Sequence, residues 1–372
     1  MAGRHERKPR VPFTLIGTLL AVAVGGIVAI AAAGSGPGTE ATPDDGGDTP
    51  APVTSGRTEA PAGEGSEPTA VATPTMSATP RPTPTAEPRG KLVIHGTGDV
   101  SLDPDYVSTF AVEGYRYAFS GLGGLFRRDD LTVINLECAV SDLGAALAKT
   151  YTFRCDPEAL PVAKRMGVEV ASLGNNHAYD FGPEALVDSV RNVRSAGIAP
   201  VGAGATQDRA LAPAVFELKG WTVAVVGLDM VVDPYPAAIA TDSKPGTAAG
   251  HDEDLMIGAI ETADRMADIV VVTIHWGIEL DTQPRDFQVA LGHRMVDAGA
   301  DVIFGHHAHR LQPLERYRGR PIFWGLGNFV WPNFSTAGST TAVAEVTVTP
   351  EGRFEGRLLP AFIEAPGHPV LR

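Results

Sequence analysis

Asp301-Val302-Ile303-Phe304-Gly305-His306-His307-Ala308-His309 is a short apolar run that ends on three histidines in four positions. Its apolar half has the composition of a buried strand. Its histidine half is of a kind that rarely serves structure alone: in an extended or turn segment His307 and His309 point the same way and reach one metal centre. The same construction recurs upstream. Lys91–Gly98 is followed by Asp99, Leu131–Asn135 by Leu136-Glu137, Val168–Leu173 by Gly174-Asn175-Asn176-His177, and Asp268–Ile274 by His275-Trp276-Gly277. The carboxyl ends of parallel strands in an α/β sheet open on one crevice, so residues placed there meet. Carboxylate, amide and imidazole together are ligands for hard and borderline metal ions. Taken singly, each segment has a plainer reading. A Gly-Asp after a strand is ordinarily a turn, and a lone strand-end histidine is ordinarily a satisfied core residue. Recurrence at every strand end is what points to a metal site.

Helical patterns separate these runs. Pro157–Met166 follows Asp156 as an N-cap with Pro at the first helical position, and Pro183–Ala196 stops at Gly197. Asp252–Ala267 and Arg285–Ala298 follow, and Trp221–Gly227 supplies a further strand. Strand–helix alternation predicts an α/β fold, a sandwich of mixed sheets. The tail is different: Gln312–Trp324 reads as a hairpin around Arg318-Gly319-Arg320, and Thr340–Pro350 and Arg353–Leu359 as antiparallel strands around Glu351-Gly352.

Ahead of this body the chain changes character twice. Residues 1–10 are basic, 11–34 carry no charge, and 35–90 are rich in Pro and Thr. An uncharged run of that length, at about 1.5 Å per residue, spans a hydrocarbon core of roughly 30 Å. A basic flank stays on the cytoplasmic side. The reading is a cytoplasmic tail, a single-pass transmembrane anchor, a disordered stalk and a body from 91 to 372 outside the cell membrane. Ala31-Ala32-Ala33 also resembles a cleavage site, which leaves a secreted form open. The 372 residues hold 30 Lys and Arg against 44 Asp and Glu, a formal charge of −14. So acidic a chain is not a nucleic-acid binder, because phosphate neutralisation needs Lys and Arg. Collagen, coiled-coil and multi-pass membrane classes are excluded by composition.

An exported body makes a disulfide between Cys138 and Cys155 the first expectation, with buried thiols the alternative. Trp276 reads as packing beside the site, His293 as a packed or capped histidine, and His95 as buried within its strand. Gly202-Ala203-Gly204 reads as a turn with no helix after it, and Asn333 opens a glycosylation sequon.

The ordered set Gly98-Asp99, Asn135-Leu136-Glu137, Asn175 to Gly182, His275-Trp276-Gly277-Ile278-Glu279, Gly299 to His309 and Gly327-Asn328-Phe329 resembles the CapA family of poly-γ-glutamate capsule biosynthesis proteins. That family's domain is similar to calcineurin-like metallophosphoesterases, which implies an α/β/β/α sandwich and a pair of divalent ions, Mn, Fe or Zn. The resemblance implies Asp99 and His309 on one ion, Asn176, His275 and His307 on the other, and Glu137 between them. His177 matches the proton donor and Asp180 the carboxylate that orients it. Asn135, Glu279, Gln312 and Asn328 match positions facing the substrate or supporting the ligands. Ser101 stands where the wider superfamily has a histidine, and Ala308 where it has a proline. Two functions are implied. One is a metal-dependent hydrolase of phosphoester or amide bonds in a cell-envelope polymer or a small anionic substrate. The other is a non-catalytic scaffold or polymer-binding component partnered with capsule synthase membrane subunits.

Overall fold

Two β-sheets carry the body of the protein, seen in a computed structural model that describes residues 88–231 and 236–372. The basic tail 1–10, the apolar segment 11–34 and almost all of the stalk 35–90 lie outside the described residues. Among the described residues no helix is long and apolar enough to cross a membrane.

The chain opens with β1 (Leu92–Val100), short helices α1 (Phe110–Glu113) and α2 (Tyr117–Ser120), and β2 (Leu131–Leu136). Then come α3 (Ala159–Arg165), β3 (Val170–Ser172), α4 (Gly182–Ser195), β4 (Ala199–Val201), β5 (Ala203–Gly204) and α5 (Gln207–Leu211). The second half begins with β6 (Ala214–Leu218), β7 (Trp221–Asp229), β8 (Gly246–Thr247), α6 (Glu253–Asp264), β9 (Ile269–His275), α7 (Asp286–Asp297) and β10 (Val302–His306). It closes with β11 (Leu314–Tyr317), β12 (Arg320–Phe323), β13 (Asn328–Val330), α8 (Thr336–Ser339), β14 (Thr340–Val348), β15 (Phe354–Ala365) and β16 (His368–Leu371).

One sheet has the order β16-β15-β14-β1-β2-β3-β4, with β13 also paired to β1; the other runs β11-β12-β10-β9-β7-β6. Strands β1 to β4 are mutually parallel, as are β7, β9, β10 and β12, while the terminal strands are antiparallel. The inner faces pack on each other through Ile94, Val133, Val170, Val225, Val271 and Phe304. At roughly 1.5–3 kcal/mol for each large side chain removed from water, this shared layer is the main hold between the sheets. Gly96 admits the contact, since a Cβ there would stand 2.8 Å from the Phe304 ring. Outside, α3 and α4 cover the first sheet and α6 and α7 the second. The expected sandwich of mixed sheets is present.

Several local expectations shift. The first predicted helix starts at Ala159 rather than Pro157, because Asp156 Oδ1 accepts from Glu158 N at 2.8 Å and forms a turn ahead of it. Gly202-Ala203-Gly204 is not a bare turn. Ala203 and Gly204 pair with β8, and α5 follows, with Thr206 Oγ1 accepting from Arg209 N. The hairpin at Arg318-Gly319-Arg320 joins β11 to β12. Cys138 and Cys155 form a disulfide, Cα to Cα 5.7 Å.

Candidate metal centre

Each sheet brings its strand ends to one rim. In the first, the register sets Asp99 opposite Asn135 of β2 and Asn328 of β13. Gly98 makes this possible: a Cβ there would lie 2.1 Å from Gly327 O, the atom that accepts from Asp99 N at 2.8 Å. In the second sheet, His306 pairs with His275 on neighbouring parallel strands. Past β10 the backbone takes left-handed conformations at His307 (φ 82°) and His309 (φ 51°). Such strain in non-glycine residues costs about 1–3 kcal/mol each and persists where the surroundings demand it.

The side chains converge. His309 Nδ1 lies 3.1 Å from Asp99 Oδ2, and His306 Nδ1 3.5 Å from Asp99 Oδ1. Asn135 Nδ2 donates to Asp99 Oδ1 at 2.9 Å and stands 3.3 Å from His275 Nδ1. His275 Nε2 lies 3.2 Å from His307 Nδ1. Glu137 Oε1 faces three imidazoles, at 3.6 Å from His275, 3.8 Å from His309 and 4.0 Å from His177. Asp99, Glu137 and His275 each offer a donor atom within 4.8 Å of the others. The pairs Asp99–His309 and His275–His307 thus flank Glu137 on two sides.

All of this is buried, and much of it is unsatisfied. Asp99 Oδ2, both Glu137 oxygens, Asn176 Oδ1 and His306 Nδ1 have no hydrogen-bond partner. A buried polar group without a partner costs about 1–3 kcal/mol, more if charged, so a cluster of five demands an explanation. A divalent cation is one that fits the donor chemistry: carboxylate and amide oxygens with imidazole nitrogens. The electrostatics agree. Burial drives Asp99 up, but the His306 and His309 imidazoles outweigh it and hold the carboxyl well below its usual range. Burial, then the Asp99 charge, push Glu137 well above its usual value. Burial pushes His275 well down and His307 down to about 3, leaving both rings neutral as a ligand must be. His309 runs against its burial and is raised, because Asp99 faces it.

A second group adjoins the first. His177 Nδ1 lies 2.7 Å from Asp180 Oδ2, which also accepts from Phe153 N at 2.8 Å. Lys149 Nζ bonds the other Asp180 oxygen and donates to Asn176 O at 2.8 Å. Burial lowers His177 despite the Asp180 contact. The ring is therefore held by Nδ1, with Nε2 turned to Glu137. His177 and His309 both line a cavity of about 390 Å³, together with Glu279, Arg310, Asn328 and aromatic walls at Tyr106, Tyr151 and Trp331.

The structure brings together Asp99, Asn135, Glu137, His177, Asp180, His275, His307, His309 and Asn328, whose Oδ1 lies 2.8 Å from His309 Nδ1. Asn176 sits beside them on the loop after β3 with its Oδ1 buried. Glu279 is exposed on the cavity wall. Gln312 hydrogen-bonds elsewhere, to Asp281 O and Gln283 O, and so fixes the loop after β9. Sequence reasoning did not assign His306 or Lys149 a part. The first was marked by the same histidine cluster; nothing in the sequence marked the second. Trp276 packs on Trp324, His293 stacks on Tyr317, and His95 is buried against Asp129, all away from the centre.

Known proteins align with this chain. The family described as "Bacterial capsule synthesis protein PGA_cap" matches residues 93–333. The PGA biosynthesis protein CapA of Bacillus subtilis is 32% identical over 263 residues, covering 69% of this chain and 68% of that protein. The capsule biosynthesis protein CapA of Bacillus anthracis is 35% identical over 270 residues, covering 70% of this chain and 65% of its own length. Among solved structures, a novel phosphatase of Mycoplasma pneumoniae aligns over 73% of this chain and 94% of its own, at 15% identity and a TM-score of 0.49.

Proposed function

This chain belongs to the family of bacterial capsule synthesis proteins, and from that premise and the geometry of its rim we propose that it is a metal-dependent hydrolase of phosphoester or amide bonds in poly-γ-glutamate or a related envelope polymer. The proposal includes an extracytoplasmic body tethered to the cell membrane by residues 11–34. It includes two divalent ions, Mn, Fe or Zn, held by Asp99 and His309 on one side and Asn176, His275 and His307 on the other, with Glu137 shared. The observation that carries it is Glu137: fully buried, both oxygens unpartnered, and facing three imidazoles.

Bound divalent ions supply Lewis acidity and a water whose pKa is lowered toward neutrality. The chain's own residues do the rest. Asp180 fixes the His177 ring through Nδ1, and Lys149 Nζ bonds the other Asp180 oxygen in a buried setting. His177 Nε2 is left to exchange a proton with the leaving oxygen or nitrogen of a substrate in the cavity. Asn135 and Asn328 hold Asp99 and His309 in their orientations, as supporting hydrogen bonds do around metal ligands. Tyr106, Tyr151 and Trp331 offer apolar walls to the substrate, and Arg310 a cation for an anionic group.

The test is metal analysis of the purified protein with assays on p-nitrophenyl phosphate and on γ-glutamyl peptides. His177→Ala should keep its metal and lose roughly 10²–10⁴-fold in turnover. Metal bound with neither substrate turned over, and polymer output untouched by His177→Ala, would leave a polymer-binding scaffold as the function.

A further inference from the structure

Three guanidiniums surround a hollow of about 520 Å³ in the helical layer outside the first sheet. Arg116 precedes α2, Arg127 follows it, and Arg165 ends α3, with Val162 and Met166 completing the lining. All three arginines are exposed, and none forms an ion pair among the described residues. A fourth guanidinium, of Arg128, stands near Arg127 outside the hollow and donates to Gly123 O at 2.7 Å. The point where Gly124 would carry a Cβ is 2.8 Å from Arg127 Nη2 and 3.2 Å from Arg128 Nη1. A chain of net charge −14 has acids to spare, yet supplies none here. Like charges gathered without a counter-charge destabilise a fold and focus field on the missing anion.

A second hollow, of about 810 Å³, lies further along the layer and is lined by Arg191, Arg194 and Arg209. Favourable placement at helix C-termini explains Arg165 and Arg194 on its own. Arg127 and Arg209 also fall in the last turns of short helices, but Arg116, ahead of α2, does not. Topology places the band. Helices α3 and α4 lead into β3 and β4, so their C-terminal ends lie at the amino ends of the parallel strands. The metal donors lie at the carboxyl ends, on the opposite rim.

We propose that this arginine band, centred on Arg116, Arg127 and Arg165, is a second binding site that holds an acidic polymer chain by its carboxylates, remote from the metal centre. A guanidinium fork matches a carboxylate with two parallel hydrogen bonds. Several unpaired guanidiniums spread around one hollow suit a chain with repeated anionic groups better than a single small ion. The inference rests on the polymer reading above for its ligand, but not on hydrolysis.

The probe is a fluorescent γ-glutamyl oligomer, with the same oligomer amidated at its α-carboxylates (γ-linked isoglutamine) as the uncharged control, read by anisotropy on the full chain. The acidic oligomer should bind, weaken with added salt, and lose about ten-fold or more in affinity in the Arg116→Gln/Arg127→Gln/Arg165→Gln variant. Arg353→Gln/Arg357→Gln, on exposed and ion-paired side chains elsewhere, should bind as wild type. Unchanged binding in the triple variant, equal binding of the amidated oligomer, or capture by vesicles of anionic phospholipid but not by the oligomer would each overturn the proposal. Binding that persists while no substrate is hydrolysed would sink the hydrolase reading and leave this one standing.

Discussion

Replacing Glu137 by Gln separates what the centre costs from what it holds. In the metal-free protein Glu137 is fully buried, with neither oxygen partnered, and Asp99 ionised beside it. Its folded pKa is raised above the ordinary carboxylate value, so the native state binds a proton more tightly than the unfolded chain. That cost is absent at acid pH and grows as pH rises above the ordinary carboxylate value. Gln keeps the shape and removes the ionisation. The metal-free variant should therefore be more stable than wild type near neutral pH, by about 1–3 kcal/mol on the price of unmade buried polar interactions. For a body of this size that is a rise in Tm of roughly 2–5 °C. Saturating metal should then reverse the order: at a hundredfold excess over Kd a ligand adds about 2.7 kcal/mol to the wild type, and the variant lacks the shared oxygen donor. The assay is thermal unfolding of chelator-treated protein with and without Mn²⁺ or Zn²⁺, at neutral and at mildly acid pH. The gap between the metal-free forms should close toward acid. If the metal-free variant melts several degrees below wild type, or metal raises both proteins equally, Glu137 is not an unsatisfied ligand and the reasoning is wrong.

Lys149→Met leaves Asp180 buried without its cation and should cost about 3–5 kcal/mol, with much of the loss recovered in Lys149→Met/Asp180→Asn, measured by denaturant unfolding. Burial pushes Asp229 up to about 7, so its contribution to stability falls as pH rises from about 4 through 7. Asp229→Asn, which keeps an acceptor for Val231 N and can donate from its amide to the Thr247 hydroxyl, should gain on wild type by up to about 4 kcal/mol across that window; a constant difference between the two at all pH values would refute the assignment. The Cys138–Cys155 disulfide closes a loop of 17 residues, so Cys138→Ser/Cys155→Ser should lose about 3 kcal/mol and become insensitive to reductant.

The sequence displayed the centre because nearly every donor follows directly on an apolar strand, where periodicity is easiest to read. Asp99, Glu137, His275 and His307 were legible for that reason. His306 was visible in the cluster but assigned no role, since alternation along an extended segment favours every second residue. The turn to positive φ at His307 breaks that alternation and frees all three rings. Lys149 lay beyond reach of any pattern. It sits in an irregular loop, and only tertiary packing brings it to Asp180, 31 residues on. The shortest strands were lost in the same way. β4 is Ala-Pro-Val, β5 two residues and β13 three, too little for a period to show. Gln312 was assigned through the family resemblance alone, but its amide turns back to the loop after β9.

Strand β1 is flanked on one side by β2 and on the other by two late strands, β14 along its first half and β13 at Asp99. The earliest donor of the centre is thus seated by backbone that the ribosome makes last, near residue 328. No partial chain emerging in order has Asp99 in its finished seat, so the complete centre forms only after synthesis has passed that point. If the proposed export precedes folding, the ion would be chosen by whatever is on offer at the destination, not at the birthplace.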